Sequence, residues 1–178
     1  MTAKIIKRFN LRINSSTKNI KMEIVCSTDS KYIMPTGIML TSLFESNRGE
    51  VVNVHLLHDH DSAALLDPIR AIAASYQQNI HFYLINDDIF EHFPIGLDFQ
   101  LDHVGTSFAT YYRLYLTEIL PADIDKVIYL DGDILVVDKL VKLWNTSVEN
   151  YAIAAVPDSY NNKIEHYNRL RYPQTLGY

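Results

Sequence analysis

Short apolar runs alternate along the chain with longer segments in which apolar residues recur at helical spacing. The short runs are rich in β-branched and aromatic side chains and end in polar residues, which predicts strands. Five strands are expected, at residues 23–28, 51–57, 80–85, 127–130 and 151–156. Three helices are expected, at residues 34–44, 63–76 and 106–120. Strands that alternate with helices indicate an α/β fold, in which a mostly parallel sheet carries helices on both faces.

Charge is distributed unevenly along the 178 residues, which carry 16 Lys and Arg against 21 Asp and Glu for a net charge of -5. This sign argues against nucleic acid as a partner, because binding the phosphate backbone requires a basic surface. The first 20 residues hold five bases and no acid. They also lack a sustained apolar period, so residues 1–21 are expected to be a basic, disordered extension. Met22 is an alternative start of the chain.

The single cysteine, Cys26, excludes an intramolecular disulfide and a zinc site built from several cysteines. Its position inside an apolar strand predicts a core residue. No apolar run approaches the roughly 20 residues of a membrane span. Residues 1–20 also lack the apolar segment of a signal peptide. We therefore expect a cytoplasmic protein.

Acidic residues follow two of the predicted strands, where ligands of open α/β sheets bind. Asp29 follows the first strand, and Asp131 and Asp133 leave the fourth strand on either side of Gly132. Two residues at i and i+2 of an extended chain face the same side, and two close carboxylates repel unless a cation neutralises them. A hard divalent cation would do so and keep positions open for phosphate oxygens. The alternative is a turn with two solvated acids.

The segment at residues 127–136, Val-Ile-Tyr-Leu-Asp-Gly-Asp-Ile-Leu-Val, resembles the metal-binding segment of glycosyltransferase family 8. This family includes bacterial lipopolysaccharide glucosyl- and galactosyltransferases and is related to glycogenin. Further segments resemble it in the same order, at residues 22–32, 107–118, 143–144 and 154–158. The resemblance implies a GT-A fold over residues 22–178, truncated at the C-terminus. It also implies a nucleotide-sugar donor, usually a UDP-sugar, and a retaining transfer with Mn²⁺ or Mg²⁺.

The resemblance also implies roles for single residues. Asp131 and Asp133 would hold the metal on the donor diphosphate, and Asp131 would also reach the ribose. Asp29 would accept a hydrogen bond from uracil, Tyr32 would stack on that base, and Arg113 would contact the donor near its sugar and phosphate. Each of the last three has a simpler interpretation. Asp29 could cap the following helix, Tyr32 could pack at the helix entry, and Arg113 could form a surface salt bridge.

The family places later motifs beyond the metal segment, and they are not found here. Asp158 falls where the family can place an acceptor or sugar contact. A strand similar to Phe-Asn-Ala-Gly-Val, an Asp-Gln pair and a histidine motif that completes the metal site do not occur before Tyr178. The chain is therefore expected to be the N-terminal, donor-binding part of a longer enzyme, and to be inactive or nearly so by itself. The catalytic residues are expected in the following part.

The leading hypothesis is a metal-dependent, retaining glycosyltransferase that moves a hexose from a UDP-sugar to a saccharide or glycolipid acceptor. The acceptor is expected to be lipopolysaccharide or another surface glycan, with peripheral association at the inner face of the membrane. The alternative is a module that binds UDP-sugar without turnover. A phosphohydrolase of the haloacid dehalogenase kind shares an Asp-x-Asp motif, but the 45 residues after Asp133 leave too little chain for its other motifs. The acidic and histidine run at residues 58–61 is expected to be a polar turn.

Overall fold

The computed structural model describes residues 4–7, 21–59, 62–93 and 107–156. Its strands are β1 (Lys4–Lys7), β2 (Lys21–Thr28), β3 (Val51–His58), β4 (Asn79–Leu84), β5 (Lys126–Tyr129) and β6 (Ile153–Ala155). Its α-helices are α1 (Ile33–Ser46), α2 (Ala63–Ser75), α3 (Leu116–Ile119) and α4 (Val141–Trp144). Three 3-10 turns lie at Asp87–Phe90, Phe108–Thr110 and Tyr112–Tyr115. None of the helices in these ranges is long and apolar enough to span a bilayer.

The strands form one sheet in the order β4-β3-β2-β5-β1-β6. β2, β3, β4 and β5 run parallel, and β1 lies antiparallel between β5 and β6. The chain proceeds from β2 through β3 to β4 on one side of β2 and then returns to place β5 on the other side. The strand order therefore reverses between β2 and β5. The five predicted strands and the first two predicted helices begin and end within two residues of the predicted bounds.

Both faces of the sheet are covered, as the α/β prediction requires. Alternate residues of β2 point to opposite faces, so Ile24 and Cys26 lie on one side and Val25 on the other. Helices α1 and α2 pack on the first side, and the 3-10 turns with α3 pack on the second. Cys26 is fully buried, and burial raises the pKa of its thiol to about 12. The prediction of a core cysteine is confirmed.

The third predicted helix is wrong as a continuous element. Hydrogen bonds of the i to i+3 type replace it, from Tyr111 N to the Phe108 carbonyl at 2.8 Å and from Leu114 N to the Tyr111 carbonyl at 2.9 Å. The rings of Tyr111, Tyr112 and Tyr115 instead pack around the buried Phe90. The 3-10 backbone is wound more tightly than an α-helix and directs these aromatic side chains toward one partner. Their modest helix propensity offers little resistance to this change.

Strand β1 lies within the segment for which the sequence predicts no ordered element. Its backbone pairs in register with Lys126–Tyr129 on one side and with Ile153–Ala155 on the other. Pairing on both sides satisfies the backbone of a short segment whose composition alone gives no strand signal. The structure thus differs from the predicted extension at these four residues, while residues 1–3 and 8–20 lie outside the described part of the chain.

Candidate functional site

A cleft of about 290 Å³ opens at the carboxyl ends of β2 and β5. Strand order reverses between these two strands, which is where open α/β sheets bind ligands. The cleft is lined by Ser27, Thr28, Asp29, Tyr32, Ser107, Ala109, Thr110, Arg113, Asp131, Gly132 and Asp133. All the site residues predicted for the donor and the metal therefore meet in one place. Asp158 lies outside the described residues.

Asp29 ends β2 and begins the turn into α1. Its Oδ1 accepts hydrogen bonds from the backbone amides of Lys31 at 2.9 Å and Tyr32 at 3.0 Å. Asp29 thus fixes the turn that precedes α1 and does not cap the helix itself, which begins after Tyr32. Within the described residues, Oδ2 takes part in no hydrogen bond, and the side chain lines the cleft. One carboxylate can thus fix the turn and still present an acceptor to a ligand.

Tyr32 stands at the entry of α1 as its N-cap residue. Its amide donates to the Asp29 carbonyl at 3.0 Å, and its carbonyl accepts from the Thr36 amide at 2.9 Å, so its backbone is fixed. The residue is 38% exposed and lines the cleft. Most of the residue is covered, which agrees with packing at the helix entry. Its exposed part offers an amphipathic surface on which a base could stack.

Arg113 reaches the cleft from the 3-10 turn at Tyr112–Tyr115. Its Nη2 donates to Asp131 Oδ1 at 3.0 Å, and its Nε donates to the Thr110 carbonyl at 2.8 Å. Its guanidinium carbon lies 4.5 Å from the ring centroid of Tyr129. The salt-bridge interpretation of Arg113 is confirmed, but the partner is a predicted metal ligand inside the cleft. The ion pair is therefore part of the site.

The turn at Asp131-Gly132-Asp133 passes very close to α1. A Cβ on Gly132 would lie 2.8 Å from Thr36 Oγ1 and 3.4 Å from the Ser27 carbonyl oxygen. Thr36 is buried, and its hydroxyl donates to Thr28 Oγ1 at 3.0 Å, so it has little freedom to withdraw. Only glycine fits here without displacing a neighbour. The glycine between the two acids is thus explained by close approach.

The two carboxylates of this turn suit a hard divalent cation. Asp131 and Asp133 both line the cleft, as their i and i+2 spacing predicts. The side chain of Asp131 is 27% exposed, and Asp133 is exposed. Across the described ranges, no group of three or more His, Cys, Asp or Glu side chains could hold a metal. A cation would therefore take two protein ligands from this part of the chain and leave its other positions to a ligand and water.

The comparison with protein families decides the classification. The model of glycosyl transferase family 8 matches residues 23–174. The chain belongs to glycosyltransferase family 8. The galactosyltransferase LgtC, solved in complex with donor and acceptor sugar analogues, matches with a TM-score of 0.59 and 34% identity, over 71% of this chain and 43% of LgtC. The fold of this family-8 chain is of the GT-A type, as the family resemblance implies.

Two curated Escherichia coli relatives show how much of a family-8 protein the chain represents. The lipopolysaccharide 1,2-glucosyltransferase is 23% identical over 97% of this chain and 49% of its own length. The lipopolysaccharide glucosyltransferase WaaO is 27% identical over 79% of this chain and 39% of its own length. The chain thus spans less than half the length of these relatives. The cleft lies within the residues that match the family.

Sequence reasoning missed the support beneath Arg113 in this family-8 site. Tyr129 is 1% exposed, and its hydroxyl lies 2.7 Å from Ser27 Oγ. Burial raises the pKa of Tyr129 to about 12, although nearby Arg113 and the Ser27 hydrogen bond oppose the shift. The alternation of side chains along a strand was an available signal. Tyr129 precedes Asp131 by two residues and Ser27 precedes Asp29 by two, so each pair points to the same side of its strand. The sequence alone gave no reason to place the two side chains in contact.

The run at residues 58–61 does not add a metal site within the described residues. His58 is buried, and its ring meets the Phe82 ring edge-on with centroids 6.1 Å apart. A buried histidine packed on an aromatic ring is part of the fold rather than an open ligand. His60 and Asp61 lie outside the described residues.

Proposed function

We propose that this chain is the donor-binding part of a metal-dependent, retaining glycosyltransferase that moves a hexose from a UDP-sugar to a saccharide or glycolipid acceptor. The observation that carries the proposal is that the predicted base, phosphate and metal residues all line one cleft at the strand reversal. The donor and acceptor sugar analogues bound by LgtC support the donor and acceptor classes. The lipopolysaccharide glucosyltransferases among its relatives support a surface-glycan acceptor.

The base would be held at the α1 side of the cleft. Tyr32 offers its exposed ring for stacking, which any base would satisfy. Asp29 adds selectivity, because its Oδ2 can accept a hydrogen bond from the ring N–H that uracil has and cytosine lacks. The hydrogen bonds from the amides of Lys31 and Tyr32 to Oδ1 hold that carboxylate in place before the donor arrives.

The diphosphate would be held at the β5 side of the cleft. Asp131 and Asp133 would hold the cation, which supplies Lewis-acid stabilisation of the negative charge on departing UDP. Arg113 adds a fixed positive charge and a forked set of N–H donors that match phosphate oxygens. Gly132 lets the turn lie close against Thr36, and this position keeps both acids at the edge of the cleft.

Two readouts on the same preparation test the proposal. The chain is incubated with Mn²⁺, a saccharide acceptor, and UDP-glucose or UDP-galactose, and donor binding and UDP release are measured separately. Metal-dependent donor binding with little or no UDP release is the expected result for a donor-binding part. UDP release with a product of retained anomeric configuration would support the transfer reaction and would show that the chain is active by itself. If neither UDP-sugar binds at millimolar concentration with Mn²⁺, both functions are contradicted.

A further inference from the structure

Arg113 is held in the cleft by three contacts of different kinds. One is the ion pair with Asp131 Oδ1 at 3.0 Å. The second is the hydrogen bond from Nε to the Thr110 carbonyl at 2.8 Å. The third is the face of the Tyr129 ring, 4.5 Å from the guanidinium carbon. Only the first contact uses an atom that the proposed cation would also need.

Arg113 and the proposed cation would therefore compete for the carboxylate of Asp131. A divalent cation on Asp131 draws electron density away from the oxygen that now accepts from Arg113, and its positive charge repels the guanidinium. An arginine held by that ion pair alone would then leave the cleft, because its side chain has four rotatable bonds and gains entropy in water. The donor phosphates need both positive groups at once. Something other than Asp131 must keep Arg113 in place.

Tyr129 has the properties that such a support requires. Its ring is 1% exposed and rises from β5, which is paired with β2 on one side and β1 on the other. The contact with Ser27 Oγ at 2.7 Å fixes its hydroxyl. A neutral ring attracts the guanidinium through its π face without binding a hard cation.

We propose that Tyr129 is a positioning residue that keeps the Arg113 guanidinium in the cleft when Asp131 gives its carboxylate to the cation. The Thr110 carbonyl assists by fixing Nε, so that Nη2 is released from Asp131 and turns to the donor phosphate. The inference rests on the proposed function for the identity of the ligand. The support of Arg113 itself can be tested without any ligand.

The first experiment removes the ion pair by mutation. Asp131→Asn deprives Arg113 of the carboxylate, and the Nε–H signal of Arg113 is followed by NMR, assigned by its loss in Arg113→Lys. We expect the signal to stay ordered in Asp131→Asn and in Asp131→Asn/Tyr129→Phe. It should become mobile in Asp131→Asn/Tyr129→Leu, which lacks the ring. An Arg113 that is already mobile in Asp131→Asn, or still ordered without the ring, would overturn the inference.

The second experiment measures UDP and uridine affinity with Mn²⁺ by calorimetry. Tyr129→Leu should weaken UDP about three- to tenfold, the range of a half-buried cation–π contact. Tyr129→Phe should bind UDP as the wild type does, and uridine affinity should not change because uridine has no phosphate. In an Arg113→Gln background the Tyr129→Leu effect should disappear. Equal weakening of UDP and uridine, or an unchanged effect in that background, would reduce Tyr129 to a structural role and contradict the inference.

The two experiments separate this inference from the proposed function. If wild-type protein binds no UDP, the donor-site proposal fails, and the Arg113 NMR signal still decides whether Tyr129 holds the guanidinium. If UDP binds and the signal is insensitive to Tyr129, the donor site stands and the positioning role is rejected. Thermal melting of each variant shows whether the Leu substitution has unfolded the core.

Discussion

Two polar clusters lie on the same sheet, and only one has the form of a ligand site. The cleft between β2 and β5 is at the carboxyl ends of the strands, and Glu23 lies near the amino end of β2 in a second cleft. The second cleft is the larger, at about 360 Å³ against about 290 Å³. Cleft size therefore does not distinguish a ligand site from a structural network in this protein.

The hydrogen bonds of the two clusters make the distinction. Each oxygen of the Glu23 carboxylate accepts a hydrogen bond from Asn53 Nδ2 at 3.1 Å. The carboxylate also contacts His55 Nε2 at 2.9 Å and Lys21 Nζ at 3.2 Å. The other nitrogen of His55 lies 2.9 Å from the Tyr83 hydroxyl. In the cleft between β2 and β5, Asp133 makes no hydrogen bond or ion pair within the described residues. A cluster whose members satisfy one another stabilises the fold, and a cluster with unused acceptors in a cleft has groups available to bind a ligand.

Removing one of the cleft carboxylates should give the largest effect. Asp133→Asn should lower UDP affinity in Mn²⁺ on the order of 100-fold, because even outer-shell changes cost 10–100-fold in metal affinity. Its melting temperature should not change, since Asp133 is exposed. Calorimetric titration with UDP measures the first effect.

The matched control is Asp138→Asn, an exposed acid five residues further along that accepts from the backbone amide of Lys139 at 2.7 Å. This variant should bind UDP as the wild type does. Equal affinities for Asp133→Asn and the wild type would remove Asp133 from the site.

The second cluster should show the opposite behaviour. Glu23→Ala leaves Asn53 and His55 without their acceptor, and we expect it to lower the free energy of unfolding by about 2 kcal/mol. UDP affinity should stay within about twofold of the wild type, since Glu23 makes no contact in the proposed UDP site. Urea unfolding and calorimetry measure the two quantities.

Glu45→Ala is the control for this prediction. Glu45 also has several partners, with hydrogen bonds from Arg48 and Tyr76, but all of them lie at the surface. Its loss should not measurably change stability, because exposed pairs are screened by solvent. A Glu23→Ala variant that unfolds like the wild type but loses UDP binding would reverse the assignment of the two clusters.

Substitution of Gly132, where the turn lies against Thr36, should have an intermediate effect on UDP affinity. Gly132→Ala places a Cβ 2.8 Å from the buried Thr36 hydroxyl, and overpacking of this kind costs about 1–3 kcal/mol. Because the strain falls on the turn between the two acids, UDP affinity should fall with stability. The control is Gly37→Ala, which lies away from the cleft. Its Cβ would lie 3.3 Å from the flexible end of the Ile72 side chain, and the variant should bind UDP normally. Undiminished affinity in Gly132→Ala would show that the turn tolerates a side chain.

The smallest expected effect is the pH dependence of the contribution that Glu23 makes to the free energy of unfolding. Burial raises the pKa of Glu23, but hydrogen bonds from His55 and Lys21 outweigh it and hold the pKa below the ordinary value of 4.5. A depressed pKa stabilises the folded state above the unfolded value, and the stabilisation is lost as the pH falls through the folded value. The stability difference between the wild type and Glu23→Gln should therefore be full at pH 6 and shrink below pH 4.5. A difference that is constant or grows in acid would contradict this.

The hydrophobic pattern was enough to predict most of the fold and half of the site. Apolar runs that end in acids place Asp29, Asp131 and Asp133 at the carboxyl ends of strands, and the parallel sheet brings those ends together. Arg113 could be named only by resemblance to the family, because nothing in a predicted helix distinguishes one arginine from another. Asp29 fixes the turn before α1 through one oxygen and lines the cleft, and its contact with uracil stays a prediction.

The features that escaped prediction depend on which strands become neighbours. Glu23, His55 and Tyr83 meet because β2, β3 and β4 pair in a particular register, and their sequence separations of 32 and 28 residues give no local signal. In the predicted helix at residues 106–120, 3-10 turns whose tyrosines pack around Phe90 replace the first part, and only Leu116–Ile119 is α-helical. The location of the protein and the role of Asp158 stay predictions.

The central claim is that the cleft between β2 and β5 binds a uridine diphosphate through a divalent cation. Calorimetric titration of UDP into the folded chain tests it most directly, once with Mn²⁺ and once with EDTA. The account predicts saturable binding at one site with Mn²⁺ and much weaker binding with EDTA. Absence of binding at millimolar UDP with Mn²⁺, or equal affinity in EDTA, would contradict it.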